Sequence, residues 1–267
     1  LTRTEAGLLT ALAPGLMREL APADIVELGA GSAAKTRRLL DARNGHPGPV
    51  RYVPVDVDEP TIEATATRLL VDYPYLEVHA VIGDFERHLE HVPAAVGRRL
   101  VLFLGSTIGN LDAPARRRLL TQVRSLLRAP EDRFLVGLDL VKAVRILEAA
   151  YDDSAGVTRE FNRNILNVVN RGVDGDFHPE AFRHVAFYNA AEARIEMHLV
   201  PDSPQEVRLR RLGLEIRVSP EEGIWTESCY KFTRTSAEAM LDEAGLRLEA
   251  WHVDPNAYFA VAVAAPR

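Results

Sequence analysis

The chain has 267 residues, a hydrophobic share of 47%, a charged share of 26% and a formal net charge of -6. Such a composition belongs to an ordinary globular chain with a sizeable core and excludes a disordered, collagen-like or low-complexity polypeptide. The acidic balance argues against a phosphate-backbone binder, which needs a basic face, so no nucleic-acid partner is expected.

The first 140 residues alternate helix-like and strand-like segments. Leu8, Leu9, Leu12, Leu16 and Leu20 recur at helical spacing until Pro22 closes the pattern. Residues 25–28 form a short apolar run that ends in Gly29-Ala30-Gly31-Ser32, and residues 35–40 read as helix. After a Gly/Pro loop at 44–49, the run 51–55 ends in Asp56, and 61–70 is helix-like. Residues 76–82 form a third strand ending in Gly83-Asp84, and 100–104 a fourth ending in Gly105-Ser106. A helix at 116–127 and a fifth strand at 134–138, ending in Asp139, complete the pattern. Strands that alternate with helices make a parallel sheet with crossovers.

Residues 142–231 differ in character. Residues 151–170 read as one helix with a polar face of Asn162, Asn164, Asn167 and Asn170. Beyond it, 193–200 and 213–218 alternate as strands of an antiparallel sheet with one wet side. Residues 236–244 then read as helix, Gly245 as its cap, and 246–253 with 258–264 as a closing strand pair. The fold expected is α/β. Its Rossmann-like core spans 4–141 and 232–267, a mostly parallel sheet with an antiparallel terminal hairpin, and an α+β domain is inserted at 142–231.

The single cysteine, Cys229, excludes an internal disulfide framework and a cysteine-cluster metal site, and it fits a reducing cytoplasm. No apolar run approaches the roughly 18 to 20 residues of a membrane span, so no membrane partner is expected. The opening residues run straight into a helix pattern, unlike a signal peptide. The chain opens on Leu1 rather than Met, and a longer parent chain is the expectation. None of the eight histidines has metal-ligand spacing, so no metal is expected, and His79, His88, His184 and His198 read as surface or satisfied polar residues. Asp152-Asp153 reads as helix N-terminal charge, Arg116-Arg117-Arg118 as a solvated helix face, and Trp225 and Trp251 as packing residues.

In parallel-sheet folds ligands bind at the carboxyl ends of the strands. Two glycines after the first strand let the backbone approach a ligand closely. Position 34 is Ala, so the loop departs from G-x-G-x-x-G and a dinucleotide pyrophosphate is disfavoured. Asp56, at the next strand end, suits the two hydroxyls of a ribose, and Asp84 with Phe85 suits an adenine amine and ring. A nucleoside site without a phosphate clamp reads as one for S-adenosylmethionine (SAM). The bland alternative is a structural glycine turn with solvated strand-end aspartates.

Several blocks resemble the histidine Nα-methyltransferases of ergothioneine biosynthesis. They are Val26-Glu27-Leu28-Gly29-Ala30-Gly31-Ser32 with Lys35-Thr36, Tyr52-Val53-Pro54-Val55-Asp56 and Gly83-Asp84-Phe85-Glu86. The blocks continue with Phe103 to Asn110, Asp139-Leu140-Val141-Lys142, Tyr151-Asp152-Asp153 and Phe161-Asn162-Arg163-Asn164. The resemblance runs on through Ile195-Glu196-Met197 to Tyr258-Phe259-Ala260-Val261. It implies a SAM-dependent methyltransferase, with S-adenosylhomocysteine as product, that methylates the α-amine of free L-histidine to its trimethylated betaine, hercynine. Carried over by position, Gly29, Lys35, Asp56, Asp84 and Phe85 bind the cofactor, while Gly105, Asn110 and Tyr151 meet the substrate's amino-acid head group. Glu227 and the residue two further on read the imidazole, and Met197 lines that pocket.

Two departures follow from the same resemblance. The family has Glu-x-Ser before a lysine, whereas Glu227-Ser228-Cys229-Tyr230-Lys231 puts Cys229 where the hydroxyl is expected. Either Ser228 substitutes after a local shift or one imidazole hydrogen bond is lost. The family's tyrosine-bearing N-terminal segment precedes Leu1, and the 267-residue chain is expected to turn over little histidine without it. No catalytic acid or base is singled out; Asn110 and Gly105 would act by positioning. The expected protein is a cytoplasmic monomer acting on a small-molecule amino acid. The alternatives are the same reaction on another aromatic amino acid such as tryptophan, or a SAM-binding module without catalysis.

Overall fold

A stripe of Glu5, Leu9, Ala13, Met17 and Leu20 gives Thr2–Leu20 (α1) one buried face. The computed structural model describes residues 2–43 and 48–267, so positions 44–47 of the expected Gly/Pro loop lie outside the described residues. The chain divides into two compact units, Leu1–Leu140 with Phe232–Arg267, and Val141–Lys231.

In the first unit α1 is followed by β1 (Asp24–Leu28), α2 (Thr36–Ala42), β2 (Val50–Asp56), α3 (Glu59–Asp72), β3 (Leu76–Val78), β4 (Val81–Ile82), β5 (Arg99–Phe103), α4 (Ala113–Leu126) and β6 (Arg133–Asp139). All residues of β1 and β5 are buried, as in a parallel sheet covered on both faces. The expected single strand at 76–82 is two short ones, both paired with β2. The break falls opposite Val53 and Pro54, and Pro54 has no N–H for the ladder.

In the second unit come α5 (Val144–Ala149), α6 (Val157–Val173), β7 (Phe182–Asn189), β8 (Arg194–Pro201), β9 (Gln205–Leu209), β10 (Leu214–Val218) and β11 (Ile224–Tyr230). The expected helix at 151–170 begins only at Val157. Gly156 stands before it with φ +71°, and the Asp153 carboxylate accepts from the N–H groups of Val157 (3.1 Å) and Thr158 (2.8 Å). Asp153 thus caps a helix, the role expected of that acidic pair. The strands read at 193–200 and 213–218 are not partners. β8 lies between β7 and β11 in an antiparallel sheet, and β10 pairs with β9 alone. Leu166, Phe177, Phe182, Leu199 and Val207 belong to a core cluster of this unit.

The chain then returns to the first unit as α7 (Arg234–Glu243), β12 (Leu246–Val253) and β13 (Phe259–Pro266). Thr233 and Ser236 exchange side-chain and backbone hydrogen bonds in a capping box that starts α7. The large sheet runs β12-β13-β6-β5-β1-β2-β3, with β4 also on β2. β13 runs antiparallel to β6, and β12 to β13. At the amino ends of its strands, fully buried Asp24 accepts from Arg51 (2.7 Å) and Arg99 (2.6 Å), leaving the carboxyl ends to the loops of the candidate site.

Candidate active site

The glycine loop lies between the ends of β1 and β2. Gly29 donates to the Val55 carbonyl (2.9 Å), and Gly31 donates to an Asp56 carboxylate oxygen (2.9 Å). The other Asp56 oxygen accepts from the Asp58 N–H at 3.1 Å. Gly29 has φ +67°, and a Cβ there would lie 3.6 Å from the Phe85 ring, so loop and aromatic sit side by side. Phe85 is braced edge-on by Phe103, with ring centroids 5.2 Å apart. Asp84 accepts from the Glu86 N–H (2.8 Å) and faces Arg87 at 3.7 Å. His88 is a satisfied polar residue whose Nδ1 accepts from the Asp84 N–H.

Beside this loop lies a cavity of about 240 Å³ lined by Thr2, Ala6, Glu27, Gly29, Lys35 and Leu104. Lys35 Nζ pairs at 2.5 Å with Glu5, which is 1% exposed, and the other Glu5 oxygen accepts from the Gly105 N–H at 2.7 Å. Gly105 has φ +89°, which strains any residue with a side chain, and a Cβ there would lie 2.9 Å from Lys35 Nζ and press on its pair with Glu5. Glu27, 3% exposed, has its carboxyl pushed up to about 7 by burial, against the hydrogen bond from Tyr52 and the Lys35 cation. Past Gly105 a 3-10 turn, Thr107–Asn110, carries exposed Asn110. The donor set fits SAM: a cation for its carboxylate, an acid for a diol, and an acid and a ring for adenine. The cofactor residues expected from the sequence thus cluster at adjoining strand ends.

In the second unit, the register sets Glu227 against Met197 and Cys229 against Ile195, so these four share one face of the three-stranded sheet. Leu147, Tyr151, Ala186 and Tyr188 pack on the same cluster. A β-bulge between Trp225 and Glu227 sets this phase, with Thr226 Oγ donating to the Met197 carbonyl at 2.9 Å. Ser228 pairs with Glu196 and alternates to the opposite face, so it is not brought beside Cys229 and Glu227. On that opposite face His198 stacks between Phe187 (5.5 Å) and Trp225 (5.8 Å), and Arg194 lies 4.6 Å over the indole. Trp225 therefore stacks while half exposed, instead of packing in a core.

Glu227 is half-buried, and desolvation holds its carboxyl above the usual carboxylate range, opposed by the charge of Lys231. Lys231, 3% exposed, donates to Tyr151 Oη at 2.8 Å and to Cys229 Sγ at 3.1 Å. Buried His184 accepts at Nδ1 from the Asn162 amide (2.9 Å) and donates from Nε2 to the Tyr151 carbonyl (2.8 Å). Asn162 is a buried packing residue, whereas Asn164 is exposed. Among the described residues no three His, Cys, Asp or Glu side chains gather as a metal site requires, and no helix is long and apolar enough to cross a membrane.

The profile of the histidine-specific, SAM-dependent methyltransferases matches residues 1–266. The chain belongs to this family. Its cofactor is SAM, and its chemistry is methyl transfer. It is similar to the histidine N-alpha-methyltransferase of Mycolicibacterium smegmatis, 44% identical over 98% of this chain and 81% of the relative. It is equally similar to the enzyme of that name from Mycobacterium tuberculosis, 44% identical over 99% of this chain and 82% of the relative. In fold it matches the CcbJ methyltransferase of Streptomyces caelestis with a TM-score of 0.52, at 15% identity and with 98% and 96% of the two chains covered.

Two members of these clusters escaped the sequence reading. Glu5 was visible as the one acid on an apolar helical stripe. Lys231 ends the Glu227 motif, but nothing in its spacing marks it as buried. His184, read from the sequence as a surface or satisfied polar residue, is the buried and satisfied one.

Proposed function

We propose that the protein transfers methyl groups from SAM to the α-amino group of L-histidine, forming trimethylhistidine (hercynine) for ergothioneine synthesis. The reading rests on the relatives and on one observation in particular. The half-buried Glu227 carboxyl shares an apolar face with Met197, and no side chain among the described residues donates to it. A carboxylate kept without an internal donor suits a ring that brings its own N–H, as imidazole does and a phenyl ring does not.

When bound, the cofactor supplies a methyl group on a positively charged sulfur, open to attack by a neutral amine. In the first unit Lys35 would hold the cofactor's carboxylate, Asp56 its ribose, and Asp84 with Phe85 its adenine, with Gly29 giving close backbone approach. Gly105 and Asn110 would orient the amino-acid head group. In the second unit Tyr151 would bind the same head group, Glu227 the imidazole N–H, and Met197 the ring face. Cys229 accepts from Lys231 at its sulfur and offers at most a weak S–H where a serine would offer a hydroxyl. Each transfer needs a deprotonated amine, and the rate then comes from holding it in line with water excluded. The working form is proposed as a cytoplasmic monomer, where one buried free cysteine is at ease.

The test offers the full-length protein SAM with histidine, tryptophan and phenylalanine in competition and identifies the methylated products by mass. Methylated histidine as the main product supports the reading. Preferential methylation of tryptophan establishes the other aromatic substrate, and SAM binding without any product establishes a non-catalytic module.

A further inference from the structure

Burying an ammonium group is costly unless every donor is used, and an apolar side chain of similar size is often the more stable occupant. The second unit nevertheless keeps Lys231 at 3% exposure beside the apolar face of Leu147, Ile195 and Met197. Two of its contacts are with residues of the candidate site, Tyr151 Oη at 2.8 Å and Cys229 Sγ at 3.1 Å. Buried this deeply, it offers almost no surface to a substrate; Tyr151, partly exposed, does.

We propose that Lys231 is a positioning residue that acts through Tyr151 to bind the carboxylate of the amino-acid substrate. The inference rests on the reading of Tyr151 as a head-group residue. An ammonium has three donors and no acceptor, so in this contact the phenol oxygen accepts and its own O–H turns away from Lys231. The nearby positive charge also makes the phenol a stronger donor to an anion. At its other end Tyr151 is fixed through its carbonyl, which accepts from His184 Nε2 while Asn162 donates to His184 Nδ1. Main chain and phenol are thus held by separate contacts. Lys231 also draws Glu227 toward its ionised form, so one cation serves both the head-group and the ring contacts.

The experiment measures KM and kcat for histidine, and SAM affinity by calorimetry, in Lys231→Met, Tyr151→Phe and the double variant of the full-length protein. Losing a charge-assisted bond is expected to raise KM about tenfold in Lys231→Met, with kcat changed less than about threefold and SAM affinity unchanged. The double variant should be no worse than the worse single one, because both remove the same interaction. Lys231→Arg, which keeps the charge and a donor, should recover part of the loss, an outcome a purely structural role does not give. If Lys231→Met does not fold, Lys231→Gln removes the charge and must still raise KM. An unchanged KM in a folded Lys231 variant, or additive losses in the double variant, overturns the proposal. An unchanged KM in Tyr151→Phe with SAM affinity intact overturns the reading of Tyr151, and the proposal with it, while leaving Glu227 and histidine specificity untouched.

Discussion

In the first unit the site carboxylates already have internal work. Glu5 holds Lys35 and the Gly105 N–H, Asp56 holds the Gly31 and Asp58 N–H groups, and Glu27 takes the Tyr52 phenol. In the second unit Glu227 lies half-buried with no donor among the described residues. The difference matches two tasks. On the proposed reading, a cofactor common to many enzymes would be met by a loop already braced through backbone N–H groups and glycines. A particular ring would be met by a group whose hydrogen-bonding capacity is left for it.

The comparison breaks first if the frame and the site of the first unit are not separable. Asp24 joins Arg51 and Arg99 at the far ends of the strands, and all but its Arg51 side are fully enclosed. Asp24→Asn leaves buried guanidinium charge unbalanced and should cost about 3 to 5 kcal/mol of stability in denaturant titrations. Once folded, the variant should bind SAM as before; a large loss of SAM affinity in folded protein would join frame and site.

Glu27 sharpens the contrast through pH. Its carboxyl stands at about 7 in the folded chain against an ordinary 4.5, so the folded state holds the proton more tightly than the unfolded one. That contribution is fully present below about pH 4.5 and is lost as pH rises through about 7, on the order of 3 kcal/mol in all. Glu27→Gln should flatten the stability profile between these limits. An identical slope in the variant would show that another group is responsible.

A smaller effect is expected at the cofactor's ribose. Asp56→Ala should weaken SAM by about 1.5 to 3 kcal/mol in calorimetry, the scale of hydrogen bonds to a charged acceptor. Unchanged affinity would remove Asp56 from the cofactor site. Smallest of all is the cap of α6. The Asp153 carboxyl is held down to about 2 by the Thr158 and Val157 N–H groups, so its stabilisation is present above about pH 4 and lost as pH falls through about 2. Asp153→Asn should lower the melting temperature slightly at neutral pH and not at the acid limit.

The two units also differed in how far their sequences could be read. Parallel strands buried on both faces are unbroken apolar runs, and those at 25–28, 51–55, 100–104 and 134–138 stand where they were expected. Gly29, Asp56 and Asp84, the proposed cofactor residues, were singled out at the ends of those runs because strand ends are where such sheets bind. The antiparallel strands of the second unit mix faces within a few residues. β7 alternates Phe182, His184 and Ala186 with Arg183, Val185 and Phe187, and its core face carries a histidine. The bulge at Thr226 reverses the alternation of β11, which no residue count reveals. Alternation alone puts Cys229, not Ser228, on the face of Glu227, but the bulge decides that this face is the one opposite Trp225. Glu5 and Lys231 were hidden for a related reason, since burial of a charged side chain depends on residues far away in the chain.

The division of labour between the units is tested most directly by titrating Glu227→Ala of the full-length protein first with SAM and then with histidine. The account predicts SAM affinity equal to the parent's and histidine affinity weakened roughly ten- to a hundredfold, about 1.5 to 3 kcal/mol, with tryptophan and phenylalanine weakened less or improved. Histidine binding that survives the substitution, or a parallel loss for all three amino acids, would contradict it.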